Sequence, residues 1–403
     1  MMPLVTADPG DNPEGMATLA HAPSRTATGS GAPDSGTAGP GAPDSAASVR
    51  HLGPNWYAAV MGTAIVANAG AVLPFTGTAP RVAYQAVWAL SALMLLTLLA
   101  ARVVHWARHG DQARHHLADP ATAPFYGCLA MALLAVGGGT LAVGRGVIGE
   151  GAAVAADAVL WSLGTLVAVV VAAAIPYLMV TRHRVEPGSA SPVWLLPLVA
   201  PMVAAAQGPA LVPYLPAGQA QQTLLFACYA LFGMSLLATL AFLPLVVSRL
   251  IHHGPLPLAL TPTLFLVLGP LGQSTTAVSN LAHLAPGVVS APLAHAMSAF
   301  AVLYGVPVMG FALLWLALAT AMVVRAFRRG MGFGMTWWGF TFPLGTCVTG
   351  AAGLARQTGL AAFDGLAVAL YALLVTAVAV ALTRTALGLA RGQLLAPPRP
   401  VTP

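Results

Sequence analysis

Of the chain's 403 residues, 58% are hydrophobic and only 7% charged, against roughly 25% charged in an ordinary soluble domain. The formal net charge of +6 comes from seventeen basic residues, all arginine, set against eleven acidic ones. So apolar a chain excludes a water-soluble fold, and arginines scattered at the ends of apolar runs exclude a nucleic-acid surface able to neutralise several phosphates.

Residues 1–50 are rich in Gly, Ala, Pro, Ser, Thr and Asp and hold no apolar run able to pack or insert. That composition predicts a disordered tail. The tail also lacks the basic and apolar regions of a signal peptide, which predicts that it stays on the cytoplasmic side.

From His51 onward, apolar runs of the length a spanning helix needs, about 20 residues, follow one another with short loops between. They fall near 54–75, 81–104, 122–144, 154–180, 192–212, 222–248, 261–283, 293–325, 336–355 and 362–388. Residues 51–392 are thus expected to form one all-α membrane domain of ten transmembrane helices, followed by a short tail, 393–403. An even count places both termini on one side. Arginine-rich loops are retained in the cytoplasm, and one face collects 14 of the 17 arginines, leaving only Arg81, Arg145 and Arg356 on the other. Both ends are therefore expected to be cytoplasmic, in a bacterial-type inner membrane.

The odd-numbered spans open alike: Pro54-Asn-Trp-Tyr, Pro124-Phe-Tyr-Gly, Pro192-Val-Trp-Leu-Leu-Pro, Pro262-Thr-Leu-Phe and Thr336-Trp-Trp-Gly-Phe-Thr-Phe-Pro. Their spacings are 70, 68, 70 and 74 residues, the self-similarity of one structural unit used five times. Here the unit is a helical hairpin. Pro inside a helix removes a backbone hydrogen bond and clashes with the preceding turn. In lipid it survives where neighbouring helices or a water-filled cavity satisfy the freed carbonyl.

Breaks concentrate in the odd spans, at Gly62, Gly137-Gly138-Gly139, Pro197 and Pro201, Gly269-Pro270 with Gly272, and Pro343 with Gly345. The even spans are mainly Leu, Ala and Val, with Pro244 and Pro307 as exceptions. Polar side chains follow the same division: Thr63 and Asn68, Thr140, Gln207, then Gln273, Thr276 and Asn280 at helical spacing on one face, then Thr341, Thr346 and Thr349. Taken singly, these residues serve equally as packing glue between membrane helices. Spread over five helices of one repeat, they predict a wetted path lined by the odd helices.

The acidic residues beyond the tail, Asp111, Asp119, Glu150, Asp157, Glu186 and Asp364, lie in loops or near span ends, whereas cation pores and proton pumps place carboxylates within their spans. A neutral path with Arg145 and Arg356 at its outer vestibule favours anions; the alternative for both arginines is snorkelling to headgroups. Cys128, Cys228 and Cys347 each lie in an apolar run without motif spacing and read as buried free thiols. His105 and His109 at i, i+4, with His115 and His116 beyond, have a spacing that can ligate a metal. No metalloprotease glutamate stands nearby, and a solvated cytoplasmic loop is the simpler reading, as it is for His252-His253. A membrane metalloenzyme built on these histidines and a proton-coupled multidrug exporter of the twelve-helix type are the rival readings. The 70-residue period and the missing intramembrane carboxylate argue against the exporter. The pattern requires no cofactor and no metal.

Trp56-Tyr-Ala-Ala-Val-Met-Gly-Thr on span one, Trp194-Leu-Leu-Pro on span five, Gly269-Pro270 on span seven and Trp337-Trp338-Gly-Phe-Thr-Phe-Pro-Leu-Gly-Thr346 on span nine carry a family resemblance. The chain, over about 53–390, resembles the tellurite-resistance/dicarboxylate transporter family, which includes TehA-type channels, fungal malate and sulfite permeases and plant slow anion channels. The resemblance implies five hairpins around a quasi-fivefold pore, assembled as a homotrimer with one pore per subunit, and transport of small anions with no enzymatic step. Its ninth-helix motif implies that Phe342 plugs the pore, with Phe340 the neighbouring candidate and core packing the alternative role for the ring. Pro343 after that Phe and the Trp-Trp pair before it look more like the malate and sulfite permease branch, and leave channel and carrier behaviour both open. The pore lining expected on these grounds is Gly62, Thr63, Gly138, Pro201, Gln207, Pro270, Gln273, Thr276, Pro343 and Thr346.

Overall fold

The computed structural model describes residues 52–392, except Thr76 and Pro187, together with Arg50 and Leu394; the expected tails otherwise lie outside the described residues. All regular structure among the described residues is helical. Ten main helices follow the chain: α1 (Tyr57–Gly70), α2 (Thr78–Arg108), α3 (Tyr126–Gly139), α4 (Glu150–Thr181), α5 (Leu195–Gln207), α6 (Gln219–His253), α7 (Leu268–Leu284), α8 (Ala291–Arg328), α9 (Thr341–Thr358) and α10 (Ala361–Ala390). Each overlaps one of the expected spans.

Among the described residues, seven helical segments are long and apolar enough to cross a membrane: α2, α4, α6, α8, α10 and the stretches Ala123–Ile148 and Pro192–Tyr214 that contain α3 and α5. The helices α1 and α7, with 14 and 17 residues, fall short of the about 20 that a straight crossing takes. Helix α9 has 18 residues, but Gly and Thr dilute its apolar character.

The repeat noted in the sequence has a structural counterpart. Each odd helix is preceded by a 3-10 turn: Pro54–Trp56, Ala123–Phe125, Pro192–Trp194, Leu258–Val267 and Met335–Phe340. Pro54, Pro124 and Pro192 sit within the first two positions of these turns, where an absent N–H costs nothing. Pro270 and Pro343 each occupy the third position of their α-helix; the break is thus the junction between a 3-10 and an α stretch, and not a kink in continuous α-helix. Proline is also less confined to the odd helices than the sequence suggests, since Pro176 of α4 joins Pro244 of α6 and Pro307 of α8 inside even helices.

Packing divides the helices by parity. In sequence order α1 packs on α3, α3 on α5, α5 on α7, α7 on α9 and α9 back on α1, a closed cycle of neighbours. Each even helix packs on the odd helix before it and on the one after it, α10 completing the circuit on α1. Burial agrees: 89% of the most apolar window of the α3 and α5 segments is buried, against 17–28% for the five even helices. Leu93, Leu166, Leu240, Leu303 and Leu314 of the even helices are exposed, as side chains facing lipid are. Donors on the outer helices reach the broken inner ones. Trp161 Nε1 donates to Ala204 O at 3.0 Å, Trp315 Nε1 to Leu264 O at 2.9 Å, Ser235 Oγ to Leu198 O at 2.6 Å and Tyr371 Oη to Val66 O at 3.2 Å.

The inner helices approach closely at glycine. A Cβ on Gly272 of α7 would lie 2.5 Å from Cys347 N and from Thr346 C in the α9 backbone, and backbone cannot move aside as a flexible side chain can. Gly310 of α8 faces open space. Gly272→Val is expected to lower the thermal midpoint in detergent by roughly 5 °C or more, with loss of the monodisperse peak in size-exclusion chromatography. Gly310→Val is expected to leave both unchanged.

Candidate functional site

Hydrogen bonds between neighbouring odd helices are separated by about one repeat in sequence. Asn68 Nδ2 of α1 donates to Ala135 O of α3 at 2.9 Å, and Asn280 Nδ2 of α7 donates to Ala206 O of α5 at 2.9 Å. Between α7 and α9, Thr276 Oγ1 lies 2.7 Å from Thr349 Oγ1 and 3.3 Å from Thr346 O, while Thr346 Oγ1 reaches Leu268 O and Gly269 O at 3.4 Å. Asn68, Asn280, Thr276, Thr346 and Thr349 thus join neighbouring inner helices, while among the described residues Thr63, Thr140 and Thr341 accept no partner from another inner helix and donate within their own segments.

The glycine triplet of α3 is where three polar side chains meet one helix. Asp157 of α4 lies against Gly137, Gln207 of α5 against Gly138 and Asn68 of α1 against Gly139, each occupying the space a Cβ would fill. Helix α3 then passes into a π-helical turn, Thr140–Gly144, and Trp88 Nε1 of α2 donates to Thr140 Oγ1 at 2.9 Å. Sequence reasoning found the triplet but not its partners, which come from three different helices.

The expected residues are placed as follows. Thr63, Pro201, Pro270, Gln273, Thr276, Pro343 and Thr346 are buried in the inner helices. Gly62 faces Thr341 and Trp338 of α9, and Gly138 faces Gln207, which is half-buried. Several buried polar atoms of this set have no hydrogen-bond partner among the described residues: Asn68 Oδ1, Gln273 Oε1 and Ser279 Oγ. Phe342 is 2% exposed. Phe340 is half-buried and sets its ring edge-on to Phe265 at 4.9 Å, with Trp337 at 5.9 Å. Arg356, in the last turn of α9, donates from Nη2 to Asn280 Oδ1 at 2.9 Å. Arg145 is exposed and lines a cavity of about 610 Å³ with Arg81, Tyr84 and Gln85.

No carboxylate stands on α1, α3, α5, α7 or α9. Hydroxyl and amide groups can replace part of an anion's hydration shell, and no fixed negative charge on these helices repels one. One acid does lie deeper than its sequence position suggests. Asp157, read as near a span end, is 1% exposed, and neither carboxylate oxygen has a hydrogen-bond partner among the described residues.

Comparison with known proteins bears on this arrangement. A family model described as voltage-dependent anion channel matches residues 51–386. The chain is 29% identical to a sulfite efflux pump of Trichophyton rubrum over 79% of this chain and 85% of that protein. It is 28% identical to a sulfite efflux pump of Arthroderma benhamiae over the same shares of the two chains. To an uncharacterized transporter of Methanocaldococcus jannaschii it is 27% identical over 74% of this chain and 82% of the relative.

The loop histidines correct an expectation. The segment after α2 was expected to be a solvated loop, but a nine-residue helix, Gly110–Ala118, occupies it, and His105 and His116 are buried. Their rings stack at 5.6 Å with planes 2° apart, and His109 lies 6.2 Å from His105. His252 and His253 are exposed, as expected. Burial first, then the positive neighbours His105, Arg102 and His115, push His116 down to about 4, against a smaller opposing pull from Asp119. At neutral pH His116 is therefore uncharged. A histidine so depressed contributes stability that is complete above its unfolded value, about 6.5, and is lost as pH falls through about 4. Hydrogen-exchange protection factors across 110–118 are expected to drop between pH 6.5 and 4, and His116→Phe is expected to flatten that dependence.

Proposed function

This chain belongs to the voltage-dependent anion channel family, and from that premise we propose that it moves small anions through a path enclosed by α1, α3, α5, α7 and α9. The observation that carries this reading is the closed cycle of five interrupted inner helices, most of whose hydroxyl and amide side chains are buried and which carry no carboxylate. On this reading the ten helices are five hairpins around a quasi-fivefold pore. The short helices α1, α7 and α9 cross together with their 3-10 turns. The lining is formed by the small, hydroxyl and amide residues of the inner helices, from Thr63 and Gln207 to Gln273, Thr276 and Thr346.

Phe342 is the gate in this proposal. Phe340 is engaged in an edge-on ring contact with Phe265, which supports its neighbour in that role. A ring turning about one side-chain bond can block an ion without binding it. Arg356 and Arg145 supply positive potential at the outer vestibule, and the arginine-rich opposite face is cytoplasmic, with both termini there. Residence in a bacterial-type inner membrane and assembly as a homotrimer, one path per subunit, belong to the same proposal. Catalysis has no part in it.

Sulfite is the first substrate to test, because relatives named as sulfite efflux pumps align over 79% of this chain. C4-dicarboxylates such as malate, halide and nitrate follow. In a neutral path, diameter and desolvation set the choice among them. In proteoliposomes loaded with each anion in turn, wild-type protein is expected to pass sulfite, and Phe342→Ala is expected to raise flux about tenfold or more. The reading fails when none of sulfite, malate, chloride or nitrate moves in either protein.

A second reading, a proton-linked carrier, is favoured by Asp157. An intramembrane carboxyl without a counter-ion among the described residues is a functional residue by default, and this one presses on Gly137, the first glycine of the triplet whose other two meet Gln207 and Asn68. A proton taken up or released there changes the charge beside the break in α3. Asp157→Asn is expected to preserve anion exchange at equal pH and to abolish the acceleration that an imposed pH gradient gives. Equal acceleration in both proteins removes Asp157 from the coupling, and no acceleration in wild type excludes the carrier and leaves the channel.

A further inference from the structure

Arginine is the one titratable side chain that cannot escape burial by changing its charge. Arg102, in the last two turns of α2, is 7% exposed. None of its three guanidinium nitrogens makes a hydrogen bond of good geometry among the described residues, although the Tyr57 hydroxyl is near enough to interact with it. What faces it is aromatic: the guanidinium lies 5.8 Å from the ring centroid of Tyr57 and 6.0 Å from that of Tyr126. Such cation–π contacts offset only part of the cost of removing a guanidinium from water.

No carboxylate of the neighbouring segment makes up the remainder. Asp111 pairs with Arg50 at 2.9 Å. Asp119 accepts from Ala121 N at 3.1 Å and from Thr122 Oγ1 at 2.5 Å. The described surroundings also hold further polar groups. Tyr126 Oη and His116 Nδ1 are buried without hydrogen-bond partners among the described residues, and His105 stacks on His116. Tyr57 and Tyr126 are the first residues of α1 and α3. The guanidinium therefore packs against the ring of the first residue of each of these two helices.

We propose that the cleft between the end of α2 and the starts of α1 and α3 is an oxyanion-binding site. Arg102 is its fork-shaped anchor, Tyr126 Oη and His116 its further donors, and its ligand a phosphate-like or sulfite-like group. The group comes either from a free inorganic oxyanion or from the headgroup of an anionic phospholipid. His116 reaches the cleft from the helix Gly110–Ala118, which is joined to α2 through His109, a residue with non-helical φ −134° and ψ 47°. On this proposal the ligand enters by displacement of that helix. The site is separate from the Phe342 gate, and it is read out by binding and not by flux, so its failure is distinguishable from failure of the transport reading.

Full-length protein in phosphatidylcholine nanodiscs, titrated with inorganic phosphate and with sulfite, is expected to gain thermal stability saturably. Tyr126→Phe, which keeps the ring, is expected to weaken that response about tenfold, and Arg102→Gln to remove it. Protein extracted from bilayers containing phosphatidylglycerol and examined by native mass spectrometry gives the other arm. A phospholipid retained by wild type and lost in Tyr126→Phe, without any response to the free anions, assigns the site to a headgroup and upholds the proposal. Where Arg102→Gln does not fold, Tyr126→Phe and His116→Gln decide. The proposal is overturned when wild type responds to neither source, or when the variants respond as wild type does. In that event Arg102 is only a cation–π rivet between α1 and α3.

Discussion

Hydrocarbon offers no partner for a bare peptide group, and each unsatisfied N–H or C=O costs several kcal/mol there. A membrane chain that needs interrupted helices must therefore surround them with others. This protein does so with a division of labour: continuous helices of 30 to 38 residues form the exterior, and helices assembled from 3-10, α and π pieces form the interior. Tryptophan, serine and tyrosine on the outer helices donate hydrogen bonds to inner carbonyls. The exterior thus pins the interior's backbone as well as shielding it from lipid.

The same constraint connects fold to transport. Amide and hydroxyl groups hold neighbouring inner helices together, as Asn68 does with Ala135 and Asn280 with Ala206, while Asn68 Oδ1 and Gln273 Oε1 have no hydrogen-bond partner among the described residues. Groups that glue helices and groups that accommodate a partly dehydrated anion are chemically alike, so a neutral seam suits the proposed path as well as the packing. Carboxylates are kept off the five inner helices, although Asp157 and Arg102 are buried beside them. Family membership, with relatives named as sulfite efflux pumps, fits that chemistry.

Much of the architecture was legible in the chain because it rests on local and repeated features. Apolar run lengths located the helices, and the near-70-residue recurrence located the turns that precede the inner ones. What escaped depends on contacts between distant residues. Nothing in the order of the loop histidines foretells that His105 and His116 stack, because the stack depends on a short helix folding back. Asp157 reads as a span-end residue in one dimension; its burial follows from the packing of α4 on α3. The partners of Gly137, Gly138 and Gly139 come from α4, α5 and α1, and composition carries no trace of which helix supplies which.

The cycle of inner helices has a bearing on biogenesis. Helix α1 needs α9 and α10 as neighbours, and the bond from Tyr371 to Val66 spans 305 residues. The first hairpin therefore leaves the ribosome long before the last arrives, with one flank uncovered and a short helix whose complement does not yet exist. Four hairpins form an open arc, and only the fifth converts it into a ring. A chain stopped after α8 would thus lack the closing contacts, a discontinuity that membrane quality control could recognise.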